Sequence, residues 1–468
     1  MERYYLAIDI GASSGRHMLG HIEDGKMILE EIWRFENGMK DREGSLCWDL
    51  DALFEEIKTG MKRCKELGKI PVSMGIDTWA VDYVLLDEKD QVLGKTYGYR
   101  DGRTQGVDED VYKIISEEEL YSRTGIQKQS FNTIYQLMAV KQQTPELLQQ
   151  AKTFLMLPDY FHFLLTGQKC SEYTNATSTQ LINAQTNDWD RELIERLGYP
   201  QEMFLPLSQP GTLVGSFTKE IEEEVGFSCE VVLPATHDTG SAVMALPGEG
   251  DKNLYISSGT WSLMGIENKT AICTEESRKR NFTNEGGYEY RYRYLKNIMG
   301  LWMIQSVRKE LENKYSFAEL CAMASRRSDF PSRVDVNDPV FLAPDSMIRA
   351  IREMCAKTGH PVPETPDELA AVVYESLSDS YRETAEEIEG LTGSHYNTIC
   401  IVGGGSNAEY LNRLTAKKSG RRVLAGPGEA TAIGNLMAQM IQKGEFDTLE
   451  QARRCVGTSF SIHEYMPE

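Results

Sequence analysis

The sequence predicts an α/β protein assembled from two related halves. Three observations predict it. The N-terminal stretch reads strand, strand, strand, helix, strand, an order typical of mixed α/β units. A hairpin with glycine beside a hydroxyl residue occurs near the start and recurs past the midpoint, as an internal repeat would. The C-terminal part reads strand, glycine loop, helix, strand, helix, a layout compatible with nucleotide binding.

The elements follow in order. "YYLAIDIGASSGRHMLGHIE" is a strand, a tight turn and a second strand, and "KMILEEIWRFEN" adds β-prone residues. In "DLDALFEEIKTGMKRCKELG", Leu50, Leu53, Phe54, Ile57, Met61, Cys64 and Leu67 recur at three- and four-residue steps, so a helix is expected, with Gly68 as its C-terminal cap. "PVSMGIDTWAVDYVLLD" reads as a strand with polar interruptions. From about Glu117 to Leu207 the chain is richer in helix and loop, an insertion or cap on the first unit; "IYQLMAVKQQTPELLQQA" has helical periodicity and "TFLMLPDYFHFLLTG" ends at Gly167. "ALPGEGDKN" is the expected domain boundary. Beyond it "NLYISSGTWSLMGIE" repeats the opening hairpin. "PDELAAVVYESLSDSYRETAEEIEGLTG" is a long amphipathic helix. It is followed by the strand "NTICIV", the turn "GGGSN", a helix starting at Ser406 and Asn407, the strand "RRVLAG" and the small-residue-rich helix "GEATAIGNLMAQMIQKG".

Bulk properties narrow the function. The chain has 468 residues, and about 150 residues per domain argues for two or three domains. A net charge of −21, from 71 acids and 50 bases, argues against nucleic-acid or anionic-membrane partners. A small anionic ligand stays open, because backbone amides bind phosphate without net positive charge. "MERYYLAIDIG" is too short an apolar run for a signal peptide, and no run of about 18 apolar residues suggests a membrane span. Nine scattered cysteines without a CxxC pair fit reduced thiols in a cytoplasm. His17 and His21 fall on a strand, which argues against a metal site between them.

Five stretches carry chemistry. "DIGASSGR" offers backbone at Gly11 and Ala12 for a phosphate, hydroxyls at Ser13 and Ser14, a cation at Arg16, and a carboxylate at Asp9 for Mg²⁺. An ordinary hairpin fits it as well, and no Walker A loop exists in the chain. "SSGTWS" offers Gly259 and Thr260 to a second phosphate edge, or again a simple turn. In "IVGGGSN", Gly403, Gly404 and Gly405 remove every Cβ from one surface, which suits a flat ligand or a closely packed helix. In "THDTGSA", Asp238 stands at an apparent helix start, either as a cap or as an ionised proton acceptor. In "GIDTWAVDYVLLD", Trp79 is either a core residue or a sugar platform.

Taken in order, "DIGASSGR", "HDT", "SSGTWS" and "GGGSN" with "EATAIGN" resemble the FGGY family of carbohydrate kinases. "GASSGR", "GIDTWAVDYVLLD", "YRDGRT", "HDTGSAV" and "NIMGLWMIQ" resemble its members that phosphorylate L-rhamnulose more than those acting on glycerol, xylulose or gluconate. The resemblance runs from Tyr4 to Gln442. It implies two ribonuclease-H-like, actin- and hexokinase-like domains with a central ligand cleft: residues 1–246, sugar-binding with a helical insertion, and residues 247–468, nucleotide-binding. It implies phosphoryl transfer from ATP with Mg²⁺ to O1 of L-rhamnulose; a cytoplasmic monomer or homodimer is expected. Carried onto this chain, Ala12, Ser13, Ser14, Gly15, Arg16, Thr260, Gln305, Gly403, Gly404 and Gly405 would contact ATP. Ala80, His237, Asp238, Thr239 and Asn297 would hold the sugar, with Asp238 as proton acceptor and Asp9 at the metal. Ala80 departs from the family's usual glycine, and its methyl group could alter the sugar fit. The rival expectations are a kinase for another ketose such as L-fuculose or xylulose, a silent sugar or nucleotide sensor, and an actin-like ATPase.

Overall fold

The computed structural model describes residues 2–247 and 252–467. Part of the expected linker, residues 248–251, therefore lies outside the described residues. By its internal contacts the chain forms two compact units. One comprises residues 1–245, 267–294 and 431–459; the other comprises 246–266, 295–430 and 460–468. The first change of unit falls beside the boundary read from sequence, but two later segments belong with the first unit.

The first unit is built on a six-stranded sheet. β1 (Tyr4–Ile10), β2 (Ser14–Glu23) and β3 (Lys26–Glu36) form an antiparallel meander. α1 (Leu50–Glu66) then returns the chain to the strand Pro71–Thr78, which lies parallel to β1. The strands Glu230–Val232 and Leu213–Ser216 complete the order on that side. α1 buries Leu53, Ile57, Met61 and Cys64, the stripe its spacing predicts. Asp49 caps its start by accepting from the amide of Ala52. At its end Gly68, with φ +68°, donates to Lys65, and Lys69 donates to Cys64, the paired bonds that close a helix through a left-handed glycine.

The helical insertion has its own apolar core, centred on Ile134, Leu137, Phe154, Trp189 and Phe204. Two expectations change here. "IYQLMAVKQQTPELLQQA" forms two helices, Thr133–Gln143 and Pro145–Gln150, because Pro145 bars the helical conformation at Thr144. The segment before Gly167 opens as a strand, Thr153–Met156, paired with Tyr83–Leu86, before turning helical at Leu157. Likewise "GIDTWAVDYVLLD" is two strands, parted at Val81, whose φ of +67° no β-branched residue adopts without support. That support is three hydrogen bonds: Ser178 Oγ accepts from the Val81 amide, and the Val81 carbonyl accepts from Thr133 Oγ1 and Gln136 Nε2.

The second unit repeats the plan. Leu254–Ser258 forms a hairpin with Trp261–Asn268 and runs parallel to Thr398–Val402, itself parallel to Arg422–Ala425. The 27-residue helix Pro366–Thr392 precedes the parallel strand as α1 does in the first unit. The strand order Arg422–Ala425, Thr398–Val402, Leu254–Ser258, Trp261–Asn268, Tyr292–Met299 matches Glu230–Val232, Pro71–Thr78, β1, β2, β3. The repeat suggested by two short hairpins is a repeat of five strands. One local expectation fails: Ser406 and Asn407 lie in a 3₁₀ turn, Gly404–Asn407, and the helix Glu409–Ser419 starts after Ala408 without a side-chain cap.

Candidate active site

Asp238 sits where the strand Glu230–Val232, continued to His237, turns into the helix Asp238–Met244. The junction is tied to the neighbouring strand, since Thr78 donates its amide to the Thr236 carbonyl at 2.9 Å. Glu172, fully buried, accepts from the amide and the hydroxyl of Thr236 at 3.1 and 2.7 Å and from Thr174 and Asn175 besides. The helix is also seated from behind. A Cβ on Gly434 would lie 1.7 Å from the carbonyl oxygen of Ser241. The small residues of "EATAIGN" thus let the helix Ala430–Gln442 pass against the short helix that starts at Asp238.

Asp238 is the first residue of its helix and not its cap; that place belongs to His237, which makes no side-chain cap bond. Its Oδ1 accepts from the amide of Thr239 at 2.5 Å and from the Thr239 hydroxyl at 3.1 Å. Oδ2 has no partner among the described residues, and the side chain is 33% exposed. Burial, then the negative charge of Asp9, pushes this carboxyl up to about 6 against the bonds from Thr239. The helix start therefore does not hold Asp238 at an ordinary carboxylate value, although the group is still mostly ionised at pH 7.

Asp9, at the end of β1, faces Arg16 across the hairpin, and Arg16 Nε and Nη2 both donate to its Oδ2 at 3.0 and 2.8 Å. On the other side Asp9 is in register with Asp77 of the parallel strand. Asn435 donates to Asp77 Oδ2 at 2.6 Å, while Oδ1 is buried with no hydrogen-bond partner among the described residues. Burial and the charge of Asp9 raise the Asp77 carboxyl well above the usual range. The charge of Asp9 thus opposes the ionisation of both Asp77 and Asp238, a setting that favours an added cation. Among the described residues, however, no three His, Cys, Asp or Glu side chains are arranged to hold a metal by themselves. Mg²⁺ brought with a nucleotide would keep several waters and phosphate oxygens and need only one or two carboxylates. Asp9, whose bonds from Arg16 both go to Oδ2, is suited to this at Oδ1, while Asp77 is fully buried behind it.

Around them, Ala12 and Ser13 form the tip of the β1–β2 hairpin, and their amides have no partner among the described residues. Ser14 and Gly15 belong to β2 instead of the turn. A Cβ at Gly15 would strike the ring of Phe35 at 2.1 Å, so packing accounts for that glycine without any phosphate. Arg16 is engaged with Asp9, not free for a ligand alone. Ala80 is half-buried in the turn after Thr78. Trp79 is a core residue: its ring packs tilted against Trp48 with centroids 4.0 Å apart, and both indoles donate to buried Asp82, at 2.9 and 2.6 Å.

In the second unit, the hairpin tip Gly259–Thr260 is held by the start of the helix Trp302–Glu310. Leu301 donates to the Gly259 carbonyl and Trp302 to that of Thr260. This places Gln305 on the first turn of the helix that braces Thr260. The glycine loop divides by role. Cβ atoms on Gly403 and Gly405 would lie 2.9 Å from the Ser258 carbonyl oxygen and 1.9 Å from its Oγ, whereas Gly404 meets nothing within 4 Å. Close packing on the first hairpin strand explains two glycines, and one faces open space. Asn297 is half-buried on the strand Tyr292–Met299. The expected residues therefore gather in two sets. Asp9, Ala12–Arg16, Ala80 and His237–Thr239 lie in the first unit; Thr260, Gln305, Asn297 and Gly403–Gly405 lie in the second.

Comparison with known proteins completes these observations. Residues 4–245 match the N-terminal domain of the FGGY family of carbohydrate kinases, and residues 254–442 match its C-terminal domain. The chain belongs to the FGGY family of carbohydrate kinases. It is 54% identical to a rhamnulokinase of Halalkalibacterium halodurans over 99% of this chain and 98% of that one. It is 43% identical to a rhamnulokinase of Bacillus subtilis, over 99% and 95%. Among solved structures it resembles gluconate kinase from Lactobacillus acidophilus, with a TM-score of 0.80 at 15% identity over 100% of this chain and 94% of that one. It also resembles Plasmodium falciparum glycerol kinase with ADP, at 0.78 and 12% over 100% and 95%. These likenesses establish the two-domain, actin- and hexokinase-like kinase fold.

Within this FGGY kinase several residues around Asp238 were invisible to sequence reasoning. Arg293 and Glu285 meet its neighbour His237, Glu172 holds Thr236, and Asn435 bonds Asp77, all from segments tens to hundreds of positions away. The available signal was charge in β-prone runs: in "NEGGYEYRYRYLKN" Glu285, Arg291 and Arg293 alternate with tyrosines, so one face of an extended chain gathers the charge and the other the aromatic rings.

Proposed function

We propose that this chain transfers the γ-phosphoryl group of ATP to O1 of L-rhamnulose, giving L-rhamnulose 1-phosphate and ADP, in L-rhamnose catabolism. The substrate reading rests on the rhamnulokinase relatives, matched over nearly their whole length. The observation that carries the mechanism is the Asp238 carboxylate, anchored through Oδ1 and open at Oδ2, on a junction fixed by Glu172 and Gly434. The O1 hydroxyl is oriented by Oδ2. As the bond from O1 to phosphorus forms and the bond from phosphorus to the β,γ-bridging oxygen breaks, the hydroxyl proton passes to Asp238 and ADP departs. Thr239, paired with Oδ1, holds the carboxylate in this orientation. Ala12 and Ser13 amides and the Thr260 turn support the phosphates, Gln305 and the Gly403–Gly405 loop the rest of the nucleotide, and Ala80, His237 and Asn297 the sugar. Mg²⁺, when bound with ATP, neutralises the phosphate charge beside Asp9 and Asp77.

We also assign the protein to the cytoplasm as a monomer or homodimer without nucleic-acid or membrane partners. The acidic balance argues against nucleic-acid and anionic-membrane partners, and no helix among the described residues is long and apolar enough to cross a membrane. A ketose panel with coupled ADP detection tests the substrate. L-rhamnulose is expected to give the highest kcat/KM, with L-fuculose and xylulose at least about 10-fold lower, the discrimination one mismatched substituent allows. Equal or better turnover of another ketose would reassign the substrate within the family, and steady ADP release without any ketose would point to an ATPase.

A further inference from the structure

The side chain behind Asp238 has a feature that the phosphoryl-transfer reading does not use. Arg293 is 1% exposed. Its Nε donates to the Gly286 carbonyl at 3.0 Å, its Nη1 lies 3.0 Å from Glu285 Oε2, and its Nη2 lies 3.0 Å from His237 Nδ1. His237 is also buried, with Nδ1 3.4 Å from Glu285 Oε2 and Nε2 3.5 Å from Asp238 Oδ1. Arg293, Glu285 and Asp238 are the charged groups that face this imidazole, from three different elements.

A guanidinium has only donors and does not lose its proton in a protein. An N–H on Nδ1 would face the Arg293 N–H donor to donor, at a distance that only a lone pair tolerates. We propose that Arg293 is a positioning residue that holds His237 as the neutral tautomer, with its lone pair on Nδ1 and its proton on Nε2, facing Asp238. Glu285 balances the arginine and is thereby kept from protonating the ring. The result is a neutral N–H donor beside the anchored oxygen of Asp238. A cationic histidine there would bind the carboxylate tightly and blunt it as a proton acceptor, while an Nε2 lone pair would repel it. Burial and the arginine charge both push His237 well below the usual histidine range, in agreement with this geometry. The inference rests on Asp238 as the proton acceptor for its consequence, but not for the tautomer itself.

The experiment is ¹⁵N-imidazole NMR of the full chain at pH 7, without ligands, with the His237 signals assigned by their loss in H237Q. For the wild type, an unprotonated Nδ1 and a protonated Nε2 are expected; a protonated Nδ1 overturns the proposal. In R293M, His237 is left between two carboxylates and is expected to become doubly protonated. Its kcat on the ketose is expected to fall about 10-fold or more, with KM for ATP unchanged, within the range a misoriented catalytic group costs. In R293M/E285Q the competing carboxylate is gone, so the neutral Nε2–H form should return and kcat should recover most of that loss. A neutral His237 in R293M, or no recovery in the double variant, overturns the proposal. Should R293M fail to fold, the wild-type spectrum decides alone. Because the spectrum needs no substrate, an inactive wild type would refute the ketose-kinase reading while leaving the tautomer measurable.

Discussion

Asp238 combines a pKa of about 6 with a partner on only one of its two oxygens. A proton acceptor of that strength is ionised at neutral pH and still basic enough to take a hydroxyl proton late in the transfer. The sign of its pH dependence follows from the raised value. Below pH 6 the carboxyl holds its proton and cannot accept another, so kcat/KM should fall about tenfold per unit as pH drops under 6 and level off above 7. A pH–rate profile checks this, and a midpoint near the ordinary carboxylate value of 3.8 would contradict the environment described for Asp238. This residue stood out in the sequence because a carboxylate between apolar runs must be paired or used. Of the groups that set its strength, Asp9 stood out only as a candidate metal ligand, and Arg293 did not stand out. Asp9 lies 229 positions away (238 − 9) and Arg293 lies 55 away (293 − 238), and nothing local announces that the fold brings them together.

At the scale of elements, two close approaches carry the site. The helix Ala430–Gln442 lies against the carbonyl of Ser241 at Gly434. G434A is therefore expected to displace the helix that begins at Asp238, costing about 1–3 kcal/mol of stability and up to about 10²-fold in kcat, with KM for ATP little changed. Thermal unfolding and steady-state kinetics separate the two effects. The glycine loop gives a paired test. G405A would press on Ser258 and should lower the melting temperature. G404A adds a methyl to open space and should leave stability within about 0.5 kcal/mol while raising KM for ATP. The reverse pattern would mean that Gly404 does not face the nucleotide. The loop was legible as a backbone surface, but sequence could not tell which glycine serves packing and which faces open space, because that depends on Ser258 of another strand. Nor could periodicity place the break at Val81, whose left-handed backbone is held by side chains of the insertion.

At the scale of the whole molecule, two units share a five-strand order, each with a glycine-hydroxyl hairpin and a parallel strand beyond it. That repeat was legible from the two hairpins. Its extent was not, because the third strand of the second sheet begins at Tyr292, inside a segment that the first unit claims. Short strands also conceal their pairing, which depends on tertiary contacts more than on propensity. The family motifs made the kinase chemistry readable. Their spacing along the chain does not say which unit each belongs to, and the helix Ala430–Gln442, read with the C-terminal half, lies almost wholly in the first unit.

The central claim is that Asp238 accepts the proton from the ketose hydroxyl. The most direct measurement is ketose-dependent ADP release by D238N beside the wild type, with L-rhamnulose and Mg²⁺·ATP at saturation. A loss in kcat of about 10²–10⁴-fold is expected, with the fold and KM for ATP retained. A D238N protein that phosphorylates L-rhamnulose at near the wild-type rate would contradict it.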